Sequence, residues 1–225
     1  MNLRPLLIVI VATVAATLGL AIVGWIQLPP AAQVPIHWGV DGQVNGYAPK
    51  AIGLLLIPAV TVGLSALLYF LPRFEPRAQN LARSGPAYVR MSSAVLILMA
   101  VVQLVLVATA LGRPIDVTAV ISVAIGALFI VLGDVLGKVR SNFMFGVRTP
   151  WTLASDLSWN KTHRLIGRLF VILGFVVIAT GVVGGGWPFF VVLIAGIGLI
   201  LAVAFVYSYR VWKVDPNRQK VGEAG

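Results

Sequence analysis

From Pro5 to Ile36, and again from Leu169 to Tyr209, the chain carries no charged residue. Runs of this length decide the solvent before anything else. A hydrocarbon core about 30 Å thick takes roughly 20 helical residues at about 1.5 Å each, and an unpaired backbone amide in lipid costs several kcal/mol. Six segments are long enough: approximately Leu6 to Leu28, Ala51 to Leu71, Met91 to Leu111, Val117 to Leu136, Leu165 to Val183 and Pro188 to Tyr209. The last two share one run that is too long for a single crossing, and Gly184-Gly185-Gly186-Trp187-Pro188 breaks it with a tight turn. The expected fold is all-α, a polytopic membrane protein with six transmembrane helices in a bundle.

Composition agrees. Of 225 residues 59% are hydrophobic and 11% charged, with a mean hydropathy of +0.97, whereas a soluble domain carries charge on about a quarter of its positions. An unusually large buried core cannot exist at this length, so lipid must surround most of the protein. Met1-Asn2-Leu3-Arg4 sets one positive charge before an apolar run, as a signal peptide would. The run is too long for a cleaved hydrophobic region, and Pro30 spoils Ala31-Ala32 as a cleavage site, which predicts a retained first helix. There is no cysteine, which excludes disulfides, thiolate metal sites and cysteine nucleophiles.

The net charge of +10 reflects orientation. With the N-terminus inside, Arg4, Arg73, Arg77, Arg83, Arg90, Lys138, Arg140, Arg148, Lys161, Arg164, Arg168, Arg210, Lys213, Arg218 and Lys220 share one side, and only Lys50 and Arg113 the other. Fifteen of the 17 cations on one side predict an N-in/C-in orientation by the positive-inside rule, in what is expected to be a protein of the bacterial cytoplasmic (inner) membrane. Its partner is then the lipid bilayer, and direct nucleic-acid binding is an unnecessary reading.

Two connections are long and polar: an outer loop at 29–50 and an inner loop at 137–164. They suggest an N-terminal helical hairpin with an ordered outer loop (1–72) and a four-helix core (73–225), with function sought in the loops. In the outer loop, Trp38 and Tyr47 suit headgroup depth. His37 and Asp41 are two ligands at most, with Pro35 and Gly39 opposing the helix that would align them, so no metal site is expected. In the inner loop, Thr149-Pro150 fits a helix cap followed by proline at the first helical position, and Ser155-Asp156 offers a second start. A short interfacial helix would set Trp159 and His163 on one face. Asp134 should pair with Lys138 at i+4. Gly133 and Gly137 form a G-x-x-x-G of small weight in a chain with 23 glycines.

The two loops together resemble the SdpI immunity-protein family, membrane proteins that protect producing bacteria from a secreted peptide toxin. The outer loop is similar to a module of unknown function that precedes the family's core, through Pro35, His37, Gly42, Gly46, Tyr47 and Lys50. The inner loop is similar to the family signature, N-x-x-x-G-x-R-T-P-W-T-L then W-x-x-T-H, through Asn142, Gly146, Arg148, Thr149, Pro150, Trp151, Thr152, Leu153, Trp159, Thr162 and His163. Asp134 departs from the pattern, in which Asn is commoner. The resemblance implies resistance to a membrane-active peptide through its binding on the outer side, signalling to a repressor on the cytoplasmic side, and binding roles for both residue sets.

The alternative reading is a small-solute transporter or channel, for which the spans offer mainly Thr13, Thr17, Gln27, Thr61, Ser65, Gln103, Thr109, Ser122 and Thr180, with no ionisable group near the membrane centre. An enzyme is not expected. His37 and His163 fall on opposite sides, and no metalloprotease or serine-nucleophile motif is present. No cofactor is implied.

Overall fold

The computed structural model describes residues 1–219; Lys220, counted above among the inner cations, lies outside them. Six helices are long and apolar enough to span a membrane: α1 (Arg4–Gln27), α2 (Lys50–Phe70, extended by a 3-10 turn at Leu71–Phe74), α4 (Gly85–Ala110), α5 (Val117–Leu136), α7 (Asp156–Val183) and α8 (Gly186–Lys213). Two short helices, α3 (Ala78–Arg83) and α6 (Pro150–Leu153), lie in connections. The chain is a polytopic helical membrane protein. Ile8, Ile26, Ile172 and Leu201 are each more than half exposed, as suits side chains whose solvent is lipid.

The outer loop folds into a feature that its prolines and glycines had disguised. Strands β1 (Gln33–Trp38) and β2 (Val44–Pro49) pair antiparallel, with irregular register around His37. Val34 is fully buried over Gly53 of α2, which seats the hairpin on the bundle. Its tip crosses to other helices: a Cβ on Gly42 would stand 2.9 Å from Thr118 Oγ1, and one on Gly186 would overlap the Val40 carbonyl.

Helices α1, α2 and α4 pack around one core, α5, α7 and α8 around another, and α4 against α5 joins them. In the first group a proline creates the need that a glutamine meets. Pro58 sits inside α2 and has no N–H for the carbonyl four residues before it. That carbonyl belongs to Leu54, and Gln103 of α4, fully buried, donates its Nε2–H to it at 3.1 Å.

In the second group glycines bring two backbones into contact. A Cβ on Gly126 would stand 2.5 Å from Gly174 O, and one on Gly167 would stand 2.6 Å from Gly133 O. Gly126 and Gly133 on α5, and Gly167, Gly174 and Gly181 on α7, recur every seven residues, a spacing that returns to one helix face with only about 20° of drift. The G-x-x-x-G of Gly133 and Gly137 is therefore not the contact motif. Gly133 lies in the contact, whereas a Cβ on Gly137 would stand at ordinary van der Waals distance from Arg164, 3.4 Å from its Cγ and 3.6 Å from its Cα.

The fifth span begins earlier than its hydropathy implied. Ser155 caps α7, its Oγ accepting from Ser158 N–H at 2.9 Å. Trp159 and His163 occupy the first turns of this long helix instead of a separate interfacial one, because the preceding loop buries both rings and no break is needed before Leu165.

Candidate functional site

The loop between α5 and α7 is held by the side chains that its sequence singled out. Asn142 is fully buried; its Oδ1 accepts from the backbone N–H groups of Met144 and Phe145 at 2.8 and 2.9 Å, and its Nδ2 donates to Arg140 O at 2.9 Å. Thr149 and Thr152 form a reciprocal capping box around Pro150. The Thr149 hydroxyl also meets Ser208 Oγ of α8 at 3.0 Å, and Trp151 packs edge-on against Phe205 and Tyr209 of the same helix. Thr162 is fully buried, its hydroxyl without a partner among the described residues.

His163 closes the loop. The Trp159 carbonyl, which can only accept, lies 2.8 Å from Nδ1, and the Val147 N–H, which can only donate, lies 3.0 Å from Nε2. These partners fix the neutral tautomer with hydrogen on Nδ1. The imidazole stacks on the Trp159 ring at 4.1 Å, and the Trp159 indole N–H donates to Val139 O at 2.8 Å. Gly146 takes φ +109°, and a Cβ there would stand 2.5 Å from His163 Nε2. Only glycine fits that approach.

Residues outside the sequence motif clamp this loop to the segment after α2. Glu75 is buried, and its carboxylate accepts from Phe143 N–H at 3.0 Å and from Arg77 N–H at 2.9 Å. Arg77 donates to Ser141 Oγ and covers the Phe143 ring at 4.5 Å. Asn80 donates to Ser141 O, and Ser84 accepts from Arg140 N–H. On the other flank, Ser155 donates to the buried Asp215 carboxylate. These roles escaped the sequence reading. The available signal was Glu75 itself, an acid set between Arg73 and Arg77 in a chain with seven acidic residues.

The outer set is distributed differently. Lys50 donates to Leu28 O at 2.6 Å and lies 5.1 Å over the Trp25 ring, so it closes the end of α1. His37 Nδ1 meets Asn45 Oδ1 at 2.5 Å across the hairpin. Pro35 pairs with Tyr47 in register. A Cβ on Gly46 would press on His37 Cβ at 2.9 Å, and Gly42 takes φ +77° in the turn. Tyr47 is 59% exposed, and Ile36 on the paired strand is also exposed.

A family model described as the SdpI/YfhL protein family matches residues 138–208. That stretch begins where α5 ends and stops at Ser208, the residue that receives Thr149. This chain carries an SdpI-type segment. A second model, described as a domain of unknown function (DUF1648), matches residues 12–62 and takes in the later two thirds of α1, the hairpin and Pro58. The immunity protein SdpI of Bacillus subtilis (strain 168) is 23% identical over 181 residues, covering 80% of this chain and 84% of that protein. No solved structure matches.

An apolar and a polar cavity adjoin the SdpI-type loop. An apolar slot of about 530 Å³ lies between α5, α7 and α8, with Gly146, Val147, Arg148 and Thr149 at its end. The Arg148 guanidinium is exposed there and donates to Phe143 O. A polar cavity of about 400 Å³ is formed by Arg77, Asn80, Ser155, Asp156, Asp215 and Asn217. Asn142, Thr152, Trp159, Thr162 and His163 thus face inward and set the loop's shape, while Phe143, Arg148, Pro150 and the polar cavity make its accessible surface.

Proposed function

We propose that the chain gives the bacterium that makes it resistance to a membrane-active peptide, from a position in the cytoplasmic membrane with both termini inside. The supporting observation is the joint presence of an SdpI-type loop and an ordered outer hairpin, in a chain similar to a curated immunity protein over most of both lengths.

The hairpin is the first contact in this reading. A two-stranded sheet leaves one edge of each strand unpaired, and an extended peptide can add to such an edge through main-chain hydrogen bonds. Exposed Ile36 and Tyr47 supply apolar contact beside it. At the other end, the inward-bonded loop is a rigid support, and the surface around Arg148 and the polar cavity is where a cytoplasmic repressor docks.

The transporter or channel reading needs polar groups facing a path. Instead Thr13, Thr17, Thr61, Ser122 and Thr180 donate to carbonyls of their own helices and Gln103 Nε2 donates to Leu54 O, which leaves Ser65 Oγ and Gln103 Oε1 buried without a partner among the described residues.

The test is survival of a deletion strain, and of the same strain complemented, under a panel of membrane-active peptides. Complementation should restore growth against at least one peptide, and Tyr47→Ala with Ile36→Ser should lose that protection while the protein still accumulates in the membrane. Equal survival of all strains across the panel would overturn the reading.

A further inference from the structure

A second surface of the molecule has a chemistry that peptide resistance does not use. Where the glycine contact forces α5 and α7 together, their ends nearest the signature loop leave a groove of about 620 Å³. Its floor is Gly133, Gly137 and Gly167, its rim is Lys138, Arg164 and Arg168 with Asp134, and Val171 and Ile172 continue it along α7.

The charges in and beside the groove do not cancel. Asp134, its one carboxylate, is held by Lys138 at 3.0 Å and approached by Arg90 at 3.7 Å. Arg164 and Arg168 are exposed, and neither guanidinium forms a hydrogen bond or ion pair among the described residues. One turn apart on α7, they stand on the same face as Val171 and Ile172. Arg164's stem lies over Gly137, 3.4 Å from where a Cβ would stand, and Ile172 is 59% exposed. The groove therefore offers two uncommitted guanidinium forks at the edge of the apolar span and an apolar track leading away from them.

We propose that this groove is a specific site for one anionic phospholipid. The phosphate is bound by Arg164 and Arg168, with Lys138 adding charge, and an acyl chain runs over Val171 and Ile172. Guanidinium forks match phosphate oxygens in pairs, and basic recesses between transmembrane helices at a membrane face are known recognisers of anionic headgroups. The inference does not depend on peptide resistance or on which leaflet meets this end of the bundle.

The test is native mass spectrometry of the full chain released from vesicles of equal phosphatidylglycerol and phosphatidylethanolamine. One phosphatidylglycerol should be retained in preference. Arg164→Gln with Arg168→Gln should cut that preference by about tenfold or more for each guanidinium lost, since a hydrogen bond to a charged group contributes about 1.5–3 kcal/mol. Gly137→Leu keeps every charge and should reduce retention by filling the floor. Arg83→Gln with Arg210→Gln removes two cations outside the groove and should leave retention unchanged. Equal loss in both double variants would overturn the proposal in favour of diffuse attraction to a basic surface. Retention of both lipids alike would overturn it too, as would displacement of the lipid by millimolar inorganic phosphate, which would mark an anion site with no acyl contribution.

Discussion

His163 commits both ring nitrogens to the loop that it closes, and Gly146 is what lets it come close enough. Alanine at 146 would meet two obstacles: φ +109° lies where residues with a Cβ are strained, and the methyl would press on Nε2. The backbone alone costs about 1–3 kcal/mol, so Gly146→Ala should lower the melting temperature in detergent and expose the Val147 amide to hydrogen exchange. An unchanged melt would mean that neither the backbone strain nor the contact with the imidazole opposes a methyl at this position. Gln103 permits a sharper test, since its worth depends on Pro58. Gln103→Leu strands the Leu54 carbonyl and should cost about 1–2 kcal/mol. In a Pro58→Ala background the restored N–H takes that carbonyl, and the same substitution should cost much less. A double-mutant cycle in reversible detergent unfolding measures the difference, and additive effects would remove glutamine and proline from one hydrogen-bonding account.

At the scale of elements, the α5–α7 contact depends on where a Cβ would point. Gly133→Ala drives a methyl against the Gly167 carbonyl and should destabilise by about 1–3 kcal/mol, as overpacking does. Gly137→Ala, one turn on and in no more than ordinary van der Waals contact with Arg164, should be neutral or gain a few tenths from helix propensity. Equal effects of the two would show that the groove, not the contact, is sensitive. The six spans, the broken run at Gly184–Gly186 and the caps at Thr149 and Ser155 were legible because hydropathy, turn chemistry and capping are local properties. The glycine register was not, because a seven-residue recurrence has meaning only against a partner helix whose own glycines lie in antiparallel order. The hairpin was masked by Pro35, Pro49 and three glycines, which read as irregular loop until their pairing is known. Glu75 escaped for the same kind of reason, since its partner Phe143 is 68 residues away. The sequence also suggested contact roles for Asn142, Thr152 and His163, and it contains nothing that separates a side chain facing a ligand from one facing its own loop.

For the whole molecule, parity of crossings constrains the topology more tightly than charge alone. Gln43 lies before α2 and Lys161 at the start of α7, with α2, α4 and α5 between them, so three crossings place them on opposite sides whichever way the bundle is inserted. The hairpin tip agrees, touching the first residues of α5 and α8, which begin after an even number of further crossings. Charge then chooses the direction, because the end bearing Lys161, Arg164 and Arg168 carries almost all the cations and should stay in the cytoplasm. The chain has no cysteine, so single replacements report without background. Gln43 and Lys161 are both exposed, whereas Ser158, nearby, is buried and donates to Ser208 O. In intact cells lacking an outer membrane, Gln43→Cys should react with an impermeant maleimide and Lys161→Cys only after permeabilisation. The reverse pattern would invert the bundle, moving the hairpin away from any external peptide and the signature loop away from any cytoplasmic partner. Labelling of both from one side would contradict the six-span fold itself.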